Sequence, residues 1–147
     1  MIMLQPVGSA GRKTRMTVRT GSCLCGARRY QITGDLDGVW MCHCSLCRKA
    51  TGSTGNAILI VPRDRFQWLS GEDHGDTYRL RDTYTVTRCR TCGTPLPAEA
   101  DANNVYVTAG TLDDPLDAGV ITRLFCASRA DWDRDAPDIR CFDERSR

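Results

Sequence analysis

Between Thr17 and Ala127, apolar residues recur in short runs with a period near two, broken by turns rich in Gly, Pro, Asp and Thr. Such alternation puts one face of a strand toward a core and the other toward solvent. Thr17 to Cys23 and Ala27 to Thr33 read as strands, the second with Tyr30 and Ile32 on one face. Gly34 to Gly38 is turn chemistry. Val39 to Cys44 reads as a short strand, and Ser45 to Thr51 as a single helical turn. Ala57 to Val61 is an apolar strand of the fully buried type, ended by Pro62. Arg63 to Arg65 is a turn and Phe66 to Leu69 another strand. Thr77–Leu80 and Tyr84–Cys89 alternate and pair as a hairpin through Arg81–Thr83. Val105 to Ala109 and Val120 to Ala127 are the last strands, separated by the turn-rich stretch from Gly110 to Pro115. Cys126 is expected as a small core residue of the final strand. Trp132 is expected in the core, within an irregular cover that includes Pro137 and Phe142. Many short strands with few helical turns predict a mainly β fold.

Residues 1–16 lack an apolar period and carry Arg12, Lys13 and Arg15, so a disordered tail is expected, with a single domain over 17–147. Apolar residues are 41% and charged residues 26% of the 147, an ordinary soluble composition. No run of about 18 apolar residues exists, so no transmembrane helix is expected. The N-terminus lacks the basic and apolar regions of a secretory signal, so a cytoplasmic location is the expectation. A net charge of +2 is too small to argue for nucleic acid or a membrane surface.

The nine cysteines change the picture. In a reducing compartment, clustered thiols read as metal ligands before disulfides. Cys42, Cys44 and Cys47 form C-x-C-x-x-C. Cys23 and Cys25 form C-x-C upstream, and Cys89 and Cys92 form C-x-x-C downstream. The outer pairs together supply four thiols, enough to close a tetrahedral zinc site and to staple distant parts of the chain. The central triplet supplies three, leaving a position open for chemistry. Strand alternation turns His43 away from Cys42 and Cys44, which counts against it as a ligand of the same metal. Two zinc ions are therefore expected per chain. Seven ionised thiols on them would shift the net charge to about −1.

Zinc on three thiolates is a weaker Lewis acid than zinc on three histidines and favours a soft fourth ligand. A small thiol would lose its proton on binding there and become a nucleophile or leaving group. Arg48 and Lys49 directly follow the last ligand and could hold substrate carboxylates. Ser45, Thr51 and Ser53 could hydrogen-bond the thiolates, and Ser53 is also a candidate substrate contact. The competing reading is a zinc-stapled binding module without turnover, in which Cys126 or Cys141 completes the second site.

The segments Gly21–Gly26, Cys42–Lys49 with Thr51–Ser53, Cys89–Thr94 and Gly110–Pro115 resemble the glutathione-dependent formaldehyde-activating enzyme family, also called the centromere protein V family. The likeness runs from about Gly21 to Trp132. It implies a zinc-containing, Mss4-like β fold and carbon–sulfur lyase chemistry, condensing formaldehyde with glutathione to S-(hydroxymethyl)glutathione. It also implies one zinc on Cys23, Cys25, Cys89 and Cys92. A second, tied to substrate, is implied on Cys42, Cys44 and Cys47. Three positions depart from the family pattern: Arg123 stands where many members carry His, and Gly55 and Pro97 where aromatics are frequent. These are expected to shape the substrate pocket.

Overall fold

The computed structural model describes residues 16–80, 84–134 and 136–144. The tail expected over residues 1–16 lies outside this range except for Met16, and so does the hairpin tip at 81–83. Among the described residues, ten strands and one α-helix follow in order: β1 Val18–Ser22, β2 Arg29–Thr33, β3 Val39–Cys42, α1 Ser45–Thr51, β4 Asn56–Pro62, β5 Phe66–Ser70, β6 Gly75–Leu80, β7 Tyr84–Cys89, β8 Ala98–Glu99, β9 Asn104–Thr108 and β10 Val120–Leu124. The fold is mainly β, as the alternation predicts. None of the helices among the described residues is long and apolar enough to cross a membrane.

Three sheets form: β1-β2-β5, β10-β3-β4-β9-β8, and the hairpin β6-β7. All pairings are antiparallel except β10 with β3, which run parallel. The core joins Tyr30 and Ile32 of β2 to Val39, Leu59, Val61, Val105 and Val107 of the five-stranded sheet. Tyr30 stacks on Phe66 with ring centroids 5.5 Å apart, and its hydroxyl hydrogen-bonds Thr111 Oγ1 at 2.7 Å. A buried phenol thus keeps its polar end satisfied.

The apolar run in β4 has two faces rather than one. Leu59 and Val61 are fully buried in the core, whereas Ile58 and Ile60 are only partly buried. The cross-strand register explains this. Ile58 pairs with Trp40 and Thr108, and Asn56 with Cys42, so Cys42, Asn56, Ile58 and Thr108 share the face opposite the core. In β9, Val105 and Val107 turn inward and Tyr106 outward. One face of the sheet is therefore core and the other, already carrying Cys42, is left to build a site.

Other details depart from the sequence reading. Ser45–Thr51 is a seven-residue α-helix instead of a single turn. Residues 98–99 add a short edge strand, too brief for any periodicity to reveal. The final strand stops at Leu124, because Phe125 takes a left-handed conformation (φ 55°) and a 3-10 turn follows over Cys126–Ser128. Cys126 is consequently exposed, not core. Trp132 is 71% exposed, also against expectation, and Phe142 is exposed with it. Single large apolar residues on a surface are normal, and composition alone could not place them.

Gly21 offers a direct test of the packing between β1 and β2. A methyl group there would run into the Tyr30 ring and the Thr111 carbonyl, whereas at Gly110 nothing lies within 4 Å. Gly21→Ala is expected to destabilise the fold by about 1–3 kcal/mol. Gly110→Ala should stay within about 0.5 kcal/mol of the parent in urea unfolding.

Candidate metal centres and pocket

The cysteines gather as two groups, Cys23, Cys25, Cys89 and Cys92 in one and Cys42, Cys44 and Cys47 in the other, with the sulfurs of each group within 4.8 Å of one another. In the first, Cys23 and Cys25 lie 3.5 Å apart and Cys25 and Cys89 3.7 Å apart, sulfur to sulfur. A tetrahedron of zinc–sulfur bonds of about 2.3 Å has an edge of about 3.8 Å. The spacing therefore fits a tetrahedral ion.

Two turns build the first group. Gly26 and Gly93 each follow a cysteine and take φ near +75° (75° and 73°), which only glycine adopts freely. Backbone bonds from Gly26 N–H to Cys23 O and from Gly93 N–H to Cys89 O close the turns. Thr94 joins them: its hydroxyl accepts from the Leu24 N–H at 3.1 Å and reaches Cys92 Sγ at 3.2 Å. The Arg28 N–H donates to Cys23 Sγ at 3.3 Å. The Arg28 side chain is only 3% exposed, with its guanidinium 4.1 Å from the Trp68 ring centre. Burial lowers the Arg28 pKa, and the charges of Cys89 and Cys23 oppose that shift. Cys23, Cys89 and Leu96 form a small core of their own.

The second group lies where β3 passes into α1. Cys44 caps the helix: its Sγ accepts from the Cys47 N–H at 3.4 Å, a place usually held by a hydroxyl or carboxylate oxygen. Gly52 ends the helix in the left-handed conformation, donating its N–H to Arg48 O. The cap returns Cys47 to Cys42 and Cys44. Among the described residues, no other Cys, His, Asp or Glu joins this group. Cys126 points its thiol at the Arg123 carbonyl, and Cys141 is exposed. Neither completes the set.

Proton affinities show why each group calls for a cation. Cys92 is drawn down to about 5 by the Thr94 hydroxyl and amide, while Cys25 is pushed up to about 12, the lowering contact of the Ala27 amide being outweighed by neighbouring thiols and desolvation. Cys47 is pushed up to about 12 by burial and by Cys42 and Cys44. Cys44 is lowered on balance: burial opposes its ionisation, but the Cys47 and Leu46 amides and adjacent thiols favour it. Packed thiols cannot all ionise without a compensating charge. A divalent ion supplies that charge, so both groups could hold a metal.

His43 lies between two of these cysteines and is only 1% exposed. Its ring turns away from them, as strand alternation predicts. Arg123 Nη1, which can only donate, lies 3.2 Å from Nε2, so Nε2 accepts. Nδ1 then carries the proton and donates to the Thr54 carbonyl at 3.1 Å. Asp133, paired with Arg129 at 2.9 Å and hydrogen-bonded by Thr54, sits 3.9 Å from Nδ1. His43 is the buried member of this set, and its contacts tie β10 and the residue Thr54 to the turn that carries the three cysteines. Arg123 thus faces His43, and Gly55 packs against the Cys42 carbonyl. Neither they nor Pro97 line the pocket next to the three cysteines, contrary to expectation.

That pocket, of about 230 Å³, is bounded by Cys42 and Cys47 on one side. Its floor is the sheet face described above, with Asn56, Ile58 and Tyr106. β7 supplies the opposite wall. Tyr84, at the start of β7, donates its hydroxyl toward Cys47 Sγ at 3.8 Å. Burial and the nearby Cys47 raise its pKa. Among the described residues, the hydroxyls that reach a sulfur are those of Tyr84 and Thr94. The expected Ser45 and Ser53 are exposed, and Thr51 bonds the Cys47 and Gly55 carbonyls. Lys49 is exposed and Arg48 half-buried, and neither lines the pocket. Tyr84 and Asn56 escaped the sequence reading. Only the facing of Asn56 opposite Cys42 in a strand pair could have flagged it.

A mainly β, Mss4-like architecture with a four-cysteine and a three-cysteine group defines a class of metal-site proteins. A family model described as glutathione-dependent formaldehyde-activating enzyme matches residues 18–128, and the chain belongs to that family. In fold it is similar to a Rhodobacter sphaeroides protein whose crystal structure was a Northeast Structural Genomics target. The TM-score is 0.54 at 18% identity, over 69% of this chain and 98% of that one.

His43→Ala would remove the donor to the Thr54 carbonyl and leave a void under the turn that carries the three cysteines. The expected loss is about 2–4 kcal/mol in urea unfolding. Metal content should fall by the share held in the three-cysteine group, with the four-cysteine group still loaded. Unchanged metal content would remove the bracing role given to His43.

Proposed function

We propose that the chain is a zinc-dependent carbon–sulfur lyase-type enzyme acting on thiol–aldehyde adducts, like the S-(hydroxymethyl)glutathione synthase activity for which its family is named. The observation that carries this reading is the asymmetry of the two groups: four thiols in one, three in the other, with a pocket lined by Cys42 and Cys47 beside the three. Cys23, Cys25, Cys89 and Cys92 hold a structural zinc in this reading, and Cys42, Cys44 and Cys47 hold the reactive one. When bound there, zinc supplies one free coordination position at which a small thiol is gathered and made acidic.

In the synthetic direction, the thiol sulfur bonds to the aldehyde carbon. The carbonyl π pair moves to oxygen, which ends with the proton the thiol gave up. The reverse breaks that C–S bond and returns the proton to sulfur. The chain's own residues position and screen this step. Tyr84 holds its hydroxyl on Cys47 Sγ, tempering the sulfur's charge. Ile58, Leu96 and Leu124 keep water from the reacting carbon. Arg48 and Lys49 sit on the helix that carries Cys47 and lend positive charge near the three thiolates, with Ser53 just beyond the helix end. A small thiol such as glutathione is the partner that family membership suggests.

Adduct formation from formaldehyde and a panel of thiols, followed by NMR exchange, tests this. The zinc-loaded chain should exceed the spontaneous rate with at least one thiol. Cys44→Ser should keep the fold and lower kcat/KM at least about a hundredfold, and Tyr84→Phe about tenfold. Cys23→Ser should instead compromise folding. No acceleration with any thiol would remove the enzymatic reading.

A further inference from the structure

The geometry points to Arg28 as the counter-charge of the four-cysteine group, one that keeps its sulfurs from being alkylated by the electrophile handled at the three-cysteine group. This role rests on the structural zinc proposed above for Cys23, Cys25, Cys89 and Cys92. It gives that site a property of its own, resistance to the enzyme's aldehyde.

Arg28 is 3% exposed, and among the described residues it is the one buried lysine or arginine. Charged side chains are almost never fully buried unless paired. Yet no carboxylate of the described residues lies within 4.0 Å of the guanidinium, and Nε has no hydrogen-bond partner. One neighbour is the Trp68 ring, whose centre is 4.1 Å away and whose face attracts a cation. The other is the four-cysteine group. The Arg28 N–H donates to Cys23 Sγ at 3.3 Å, and its carbonyl accepts from the Cys23 N–H at 3.0 Å. A methyl group on Gly75 would run into Arg28 Nη1, and Gly75 stands directly across the β6–β7 pair from Cys89. The backbone of Arg28 is thus tied to Cys23, and its guanidinium lies at the Cys89 end of the hairpin. Burial disfavours the ionised side chain, and the charges of Cys89 and Cys23 lead those that oppose this, ahead of the exposed Glu72 and Asp73.

Four thiolates around a divalent ion leave a net charge of about −2. Their sulfurs are ionised already, so the electron density they keep sets their reactivity. A neighbouring cation lowers the proton affinity of a thiolate, and nucleophilicity falls with it. Attack on an aldehyde would form a sulfur–carbon bond, move the carbonyl pair to oxygen and take a proton from solvent. The sulfur would be left as a thioether, a poorer ligand. Arg28 opposes that loss at the group that staples the fold.

Residue-resolved alkylation of the zinc-loaded full chain tests this without turnover. Iodoacetamide, which is neutral, and iodoacetate, which is anionic, each form a sulfur–carbon bond and expel iodide. Peptide mass spectrometry gives the rate at each cysteine. Arg28→Met should raise the iodoacetamide rate at Cys23 and Cys89 about three- to tenfold. The iodoacetate rate should rise less, because lost attraction for the anion offsets the gain. Cys42, Cys44 and Cys47, remote from the guanidinium, should stay within about twofold. Arg28→Lys keeps the charge and should stay within about twofold of the parent at every cysteine. Equal rates in Arg28→Met and the parent, equal acceleration with both reagents, or Arg28→Lys as reactive as Arg28→Met would overturn the role and leave the structural zinc standing. Arg28→Gln is a second uncharged variant, and failure of both uncharged variants to fold would assign Arg28 to packing and overturn the role too. A parent whose native mass shows no zinc at the four-cysteine group would overturn the structural zinc and the role with it.

Discussion

Seven thiols crowded into two small volumes are the constraint on which this structure depends. Like charges at such separations cannot all form, and neutral thiols make weak, poorly directed bonds. The opposed proton affinities of Cys92 and Cys25 in one group, and of Cys44 and Cys47 in the other, express that conflict. A divalent ion in each group would resolve it. The four-cysteine group joins residues 64 apart, Cys25 and Cys89, and so fixes the start of the chain to the end of β7. The buried Arg28 beside it opposes the excess negative charge such a site would carry.

The two groups are mechanically linked. β7 begins at Tyr84, against Cys47, and ends at Cys89, inside the other group. Its six residues span about 17 Å at strand rise. Holding Cys89 therefore holds the wall that Tyr84 and its neighbours give the pocket. The opposite wall is held differently, by the capping of α1 through Cys44 and by the hydrogen bonds of the buried His43 to Thr54 and Arg123. The pocket lies between one wall set by the four-cysteine group and another set by ordinary hydrogen bonding.

The five-stranded sheet explains how a small protein can have both a core and a site. Leu59, Val61, Val105 and Val107 face one way, and Asn56, Ile58, Tyr106 and Thr108 the other. Sequence reading anticipated the two cysteine groups that the fold brings together because sulfur spacing is a local property. It recovered most strands because alternation is local too. It took Ala57–Val61 as buried on both faces, since an apolar run does not say whether its second face meets core or cavity. Tyr84 and Asn56 were invisible because their importance comes from strand register and from the placement of a hairpin, both non-local. Cys126 and Trp132 were misplaced for a related reason: the left-handed Phe125 breaks the last strand early, and nothing in its residue type announces that conformation.

Membership of the formaldehyde-activating family and the open three-cysteine group point the same way, toward a thiol gathered at a sulfur-bound ion. The central claim is that one of two metals is fully enclosed by protein sulfur and the other is not. Cadmium NMR of the cadmium-substituted chain, before and after adding a small thiol, addresses it most directly. The account predicts two resonances, one at the position of a four-sulfur site and fixed, the other shifting toward that position as thiol is added. Two four-sulfur resonances indifferent to every thiol, or a single resonance, would contradict it.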